Sequence, residues 1–211
     1  MTQKFSFSVV LLIRFLAIFT LSGCITNLNQ ETQKPSPSEP KQSEISATPV
    51  DKSVKLDEIY QEGLDYYQDN FFIQAAQKFH QAAEQGYAKA QFQLAKMHYD
   101  GKGVHQDSTQ TAYWFRQAAE QGHADAQHLL GALYLVGSGV PKDLTQAQHW
   151  YRQAAEQGHA GAQLSLGMMY YKGTGVPKDL VEAKKWLERA AKQGNPDAIA
   201  MRDKISMVLA K

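Results

Sequence analysis

Seven histidines, a single cysteine and three G-x-G-V loops are the features of this 211-residue chain whose types and spacing could do chemistry. His123, His128 and His159 come nearest to a metal set, but His123 and His128 are five residues apart, whereas side chains stand together on a helix at spacings of three and four. No cysteine or recurring carboxylate completes the set, so no metal is expected. The loops GKGVHQD, GSGVPKD and GTGVPKD are rich in glycine, as phosphate-binding loops are. Their G-x-G-V order nevertheless fits neither G-x-x-x-x-G-K-[ST] nor a strand-to-helix G-x-G-x-x-G. Ser38-Glu39-Pro40-Lys41 matches S-x-x-K, which sets a lysine beside a serine nucleophile. That chemistry requires a rigid helix and a water-poor pocket, and a segment carrying Pro35, Pro37 and Pro40 offers neither. With no spaced nucleophile, base and orienter, the chain reads as a non-enzyme with no catalytic residues and no cofactor.

The one cysteine, Cys24, cannot form an internal disulfide, so its role lies elsewhere. Residues 1–23 run from a basic start at Lys4 through an apolar stretch, Phe5 to Leu21, to Leu21-Ser22-Gly23-Cys24, the pattern of a secretory signal peptide. The sequence LSGC also resembles the bacterial lipobox, in which a small residue precedes a cysteine that is acylated and becomes the mature N-terminus. The resemblance implies a lipid such as palmitate on Cys24 and attachment to the membrane through it. Ile25, where an Asp would imply inner-membrane retention, implies an outer-membrane location facing the periplasm. The alternative is an uncleaved anchor, since Phe5 to Gly23 is 19 residues long, close to the ~20 that span a bilayer. Against it, Arg14 within that stretch costs about 2.5 to 3.5 kcal/mol on insertion scales. Residues 24–53 then read as a disordered tether, because four prolines and few large apolar residues cannot offset the entropy of ordering.

What positions any remaining site is a repeat. The nine residues from Arg116 to Ala124, RQAAEQGHA, return unchanged from Arg152 to Ala160, and the glycines Gly86, Gly122, Gly158 and Gly194 are each 36 residues apart. A fixed period of this length belongs to architectures whose units bury their apolar faces against one another. Three full units follow, 90–125, 126–161 and 162–197.

In the second half of each unit, small or apolar residues recur at helical spacing. They are Thr111, Trp114, Phe115, Ala118 and Ala119, then Ala147, Trp150, Tyr151, Ala154 and Ala155, then Ala183, Trp186, Leu187, Ala190 and Ala191. Asp107, Asp143 and Asp179, each followed three residues later by Gln110, Gln146 or Glu182, predict capping boxes. Gly122, Gly158 and Gly194 predict left-handed helix ends. The first half is a shorter helix, with Ala95, Gly131 and Gly167 small enough for close approach of its partner.

The pattern A-x-x-x-L-G, a G-x-G-V loop, an acid, A-x-x-W and AA-x-x-G resembles the Sel1-like repeat, a relative of the tetratricopeptide repeat with a longer loop. Ala95 and His105 depart from it in the first unit, where Gly and Pro would stand. Residues 54–89 resemble an ordinary tetratricopeptide unit, and 198–211 open like another first helix before Arg202 and Asp203 replace Leu-Gly, as a polar capping helix would. The fold implied is all-α: an α-solenoid of stacked helix-loop-helix repeats, preceded by a signal peptide and a disordered tether.

The resemblance also implies that the first helices line a concave groove. Carried over position by position, its partner-facing residues are Tyr60, Tyr67, Phe92, Lys96, Tyr99, His128, Leu135, Met168, Tyr171 and Lys172. Aromatic and adaptable apolar side chains there favour a segment of another protein. A formal charge of +1 argues against nucleic acid. The expected function is therefore a non-enzymatic, lipid-anchored adaptor in the bacterial cell envelope that binds a protein or peptide in its groove. The alternatives are a β-lactam- or peptidoglycan-interacting protein, as some cysteine-rich relatives are, and a surface factor engaging host cells. Those cysteine-rich relatives pair cysteines within their repeats, and this chain has none there.

Overall fold

The computed structural model describes residues 49–210; the signal peptide assigned to 1–23, the acylation site Cys24 and the tether up to residue 48 lie outside them. Among the described residues the chain forms nine α-helices and no strand: α1 (Pro49–Gln68), α2 (Phe72–Ala83), α3 (Ala88–Asp100), α4 (Ser108–Glu120), α5 (Ala124–Val136), α6 (Leu144–Glu156), α7 (Ala160–Lys172), α8 (Leu180–Lys192) and α9 (Pro196–Leu209). Each helix packs mainly on those next to it in the chain, which is the one-dimensional order of a solenoid. Helix α1 starts at Pro49 and so takes in the last five residues assigned to the tether. Proline starts a helix readily, because the N–H it lacks would have no intrahelical partner there.

The expected faces are the buried ones. Thr111, Trp114, Phe115, Ala118 and Ala119 are buried, as are their counterparts one and two periods on, apart from the half-buried Trp150. The small residues of the first helices have the predicted reason: a Cβ on Gly131 would stand 2.8 Å from the Tyr151 ring, and one on Gly167 2.8 Å from Leu187. In the shorter α1–α2 connection Asn70 takes φ +64°, a conformation that asparagine tolerates better than most non-glycine residues.

The N-terminal caps differ from the boxes predicted. Asp107 Oδ1 accepts from the N–H groups of Thr109 and Gln110, and Asp143 and Asp179 do the same in their helices. The N–H of each Asp, which the side chain three residues on was expected to engage, instead donates to a carbonyl of the preceding helix: His98, Tyr134 or Tyr170. Half of the box is thus replaced by a bond that fixes the loop across the unit.

What joins unit to unit is a relay of buried glutamines. Gln127 Nε2 donates to Ala119 O at 3.0 Å, and its Oε1 accepts from Gln157 Nε2 at 2.7 Å. Gln91 and Gln163 repeat the arrangement with Gln121 and Gln193. The second glycine of each G-x-G loop makes the other joint, lying so close to the start of an earlier helix that a Cβ on Gly139 would be 1.9 Å from Ser108 O. The glycines therefore serve connector geometry.

Helix α9 buries Ala198 and Ile205, and Arg202 pairs with Asp203 at its surface. Its outer side is less polar than expected of a cap, with Met207 and Val208 exposed.

Candidate interaction groove

Because α3, α5 and α7 occupy equivalent places in three units, the hollows between them repeat as well. Between α3 and α5 lies a cavity of about 500 Å³, walled by buried Phe115 and Leu133 and edged by Phe92, Lys96 and Tyr99. Between α5 and α7 lies one of about 390 Å³, walled by Tyr151 and Met169 and edged by Leu135, Met168 and Lys172. It is the first cavity moved by one 36-residue period, with Tyr99 replaced by Leu135, Phe115 by Tyr151, Leu129 by Ser165 and Val136 by Lys172.

Six of the ten residues singled out from the sequence thus line these cavities: Phe92, Lys96 and Tyr99 in the first, Leu135, Met168 and Lys172 in the second. The first edge is held in place by its own contacts. The Phe92 ring stacks on His123 at 4.5 Å, and the Lys96 ammonium lies 5.6 Å from the Phe92 centroid. Tyr99 is 60% exposed and free to meet a partner.

The other four stand elsewhere. Tyr60 is buried, with its ring 5.7 Å from Phe79 and 5.4 Å from Tyr87, and cannot face a ligand. The reason is local: Tyr87, whose hydroxyl bonds Asp57, closes over it from the entry to α3. Tyr67 is half-buried against Phe72 and accepts a hydrogen bond from Lys102 Nζ at 3.1 Å, outside both cavities. Tyr171 lies between the ammonium groups of Lys178 and Lys204, at 5.9 and 5.8 Å, also outside them. His128 occupies the place of Phe92 one period on and turns toward α7. There its Nε2 is 3.4 Å from Ser165 Oγ, and its ring centre is 4.7 Å from that of His159.

His123 and His159, weighed above only as metal ligands, are helix caps. His123 Nδ1 accepts from Ala126 N–H at 3.4 Å, and His159 Nδ1 from Ala162 N–H at 3.0 Å. Asn195 does the same for α9 through Oδ1, also at 3.0 Å. The shared place of His123, His159 and Asn195, 36 residues apart and three before an alanine amide, was the available signal. Imidazole is simply not among the usual capping groups. Burial is the main cause that lowers His123 below the ordinary histidine range, and burial followed by the neighbouring His159 pushes His128 down to about 4. Burial raises Tyr151, which therefore stays neutral beside His128. Among the described residues no three His, Cys, Asp or Glu side chains come together as a metal set.

The Sel1 repeat matches residues 88–123, 124–159 and 160–195. Its units begin at the starts of α3, α5 and α7. Among solved structures, a protective antigen present in uropathogenic Escherichia coli strains and displaying an SLR fold is 38% identical, with a TM-score of 0.67 over 70% of this chain and 32% of its own. A Sel1 repeat protein from Oxalobacter formigenes is 34% identical, with a TM-score of 0.65 over 68% of this chain and 59% of its own. This chain thus spans less than two thirds of either relative. No curated protein matches it.

Proposed function

The chain belongs to the Sel1 repeat family, whose members are generally scaffolds for protein–protein interaction, and we propose that it is a non-enzymatic adaptor of the bacterial cell envelope. In this reading Cys24 carries the lipid, the solenoid faces the periplasm from the outer membrane, and a protein segment lies across α3, α5 and α7. The observation that supports it is the pair of cavities one period apart, with apolar walls and exposed edges at Tyr99 and Lys172. Concave sites of this kind take a few large side chains as anchors, while the surrounding rim excludes water.

The test uses the full chain expressed in its own envelope, as wild type and as Tyr99→Ala/Met168→Ala, crosslinked and purified. A protein retained by the wild type and lost by the double variant supports the groove; equal recovery by both removes it. A clickable palmitate analogue checks the anchor separately, since incorporation should vanish in Cys24→Ala. One observation favours a second reading. The Escherichia coli relative is a protective antigen, and a chain exposed on the outer face would be cut by protease added to intact cells.

A further inference from the structure

Two imidazoles meet at the joint between α5 and α7, and one of them, His159, makes a bond that only a neutral ring can make. His159 Nδ1 accepts from Ala162 N–H at 3.0 Å, so that nitrogen carries a lone pair and the ring proton sits on Nε2, which donates to Asp125 Oδ1 at 3.0 Å. Protonation would place a second hydrogen on Nδ1, facing the amide it now caps. It would also set a positive charge at the positive end of α7. His128 lies 4.7 Å away, centre to centre. The Ser165 hydroxyl donates to Gly161 O at 2.9 Å, which leaves its lone pairs for His128 Nε2–H. Gly161 leaves the space for both rings: a Cβ there would stand 3.1 Å from each Cε1 carbon.

We propose that His128 and His159 form a proton-operated latch between the second and third repeats, closed while both rings are neutral and opened by protonation. The titratable and charged groups facing the pair are Asp125 from α5, Tyr151 from α6 and the two rings themselves. Asp125 attracts a proton to the pair, but it is mostly exposed, and its pull on His128 ranks below burial and the repulsion from His159. Charging His159 breaks the α7 cap, and charging His128 strands a half-buried cation against Tyr151 and His159. Either event opens the α5–α7 joint. The neighbouring repeats supply contrasts at the same positions: Asn195 caps α9 with a group that does not titrate, and Phe92 takes the place of His128. The latch stands without the groove reading; only its effect on a bound partner rests on that reading.

The sign follows from His128, which titrates at about 4 when folded and near 6.5 when unfolded. Stability is therefore complete above pH 6.5 and is lost as the pH falls toward 4, by up to about 100-fold in the folded-to-unfolded ratio. Urea unfolding of the full chain across this range, compared with His128→Phe/His159→Asn, reads the effect. The double variant should lose about 100-fold less than the wild type, and parallel profiles would overturn the latch. If the variant does not fold, NMR titration of the wild-type imidazoles decides. His128 titrating near 4, with the Ala162 amide shifting as His159 charges, supports the latch; His128 at its ordinary value, or an unmoved Ala162 amide, overturns it.

Discussion

Replacing Gly139 with alanine should be among the most damaging single-methyl changes in the chain, and Gly158→Ala supplies its control. Both glycines have positive φ, +68° and +94°, so each alanine carries the left-handed penalty of about 1 to 2 kcal/mol. At Gly158 nothing lies within 4 Å of the added carbon, and the backbone penalty is the whole effect. At Gly139 the carbon would lie 1.9 Å from Ser108 O and 2.4 Å from its carbonyl carbon. Those are backbone atoms at the first turn of α4, beside the Asp107 cap, and they cannot move without disturbing its bonds. Overpacking of this kind adds about 1 to 3 kcal/mol, and a weakened cap about 1 more. The expected losses are thus about 3 to 6 kcal/mol for Gly139→Ala against about 1 to 2 for Gly158→Ala. Gly175→Ala should fall between them, because the closest atom there is the Leu144 Cβ at 2.7 Å. Urea unfolding followed by far-UV circular dichroism gives all three. Equal losses at Gly139 and Gly158 would refute the idea that the second glycine of each loop is a contact between repeats.

Asp143→Ala should lose about 1 kcal/mol by removing the cap from Thr145 and Gln146, and Asp143→Asn should restore most of it; thermal melts of the two variants check this. Gln127→Ala leaves Ala119 O only its backbone donor, the Gly122 N–H, and opens a space in the joint, so about 1 to 3 kcal/mol should be lost on chemical unfolding. Gln157→Ala, at an exposed position in the same relay, should lose less than about 1 kcal/mol. Equal effects would deny the relay its part in holding the units together.

The period, the helix faces, the loop glycines and the Asp caps could be read from the sequence because each is a local rule written three times. The glutamine relay could not, since Gln91, Gln127 and Gln163 look like surface residues until the carbonyls beside them are placed. Tyr60 was misplaced for a related reason. Its ring meets Phe79 of α2, and Tyr87, 27 residues later, completes the cover. Six of the ten line the cavities because the register of the first helices follows directly from the repeat. Tyr67 and Tyr171 escaped that register by turning onto Lys102 and onto Lys178 and Lys204, contacts that no period encodes.

Why the period preserves some positions and frees others follows from what each one touches. Gln127, Asp143 and Gly139 meet backbone atoms, and the backbone is the same in every unit, so one residue type serves in all three. The cavity positions meet side chains, and they vary: Phe92, His128 and Leu164; Leu129 and Ser165; Val136 and Lys172. Stability therefore resides where the sequence repeats, and under the adaptor proposal choice of partner resides where it does not. A change at exposed Tyr99 should alter binding and leave unfolding untouched, the reverse of a change at Gln127. His128 belongs to both classes, being a groove position by register and a joint position by contact. A proton there acts first on the joint with α7, and reaches the groove only through it.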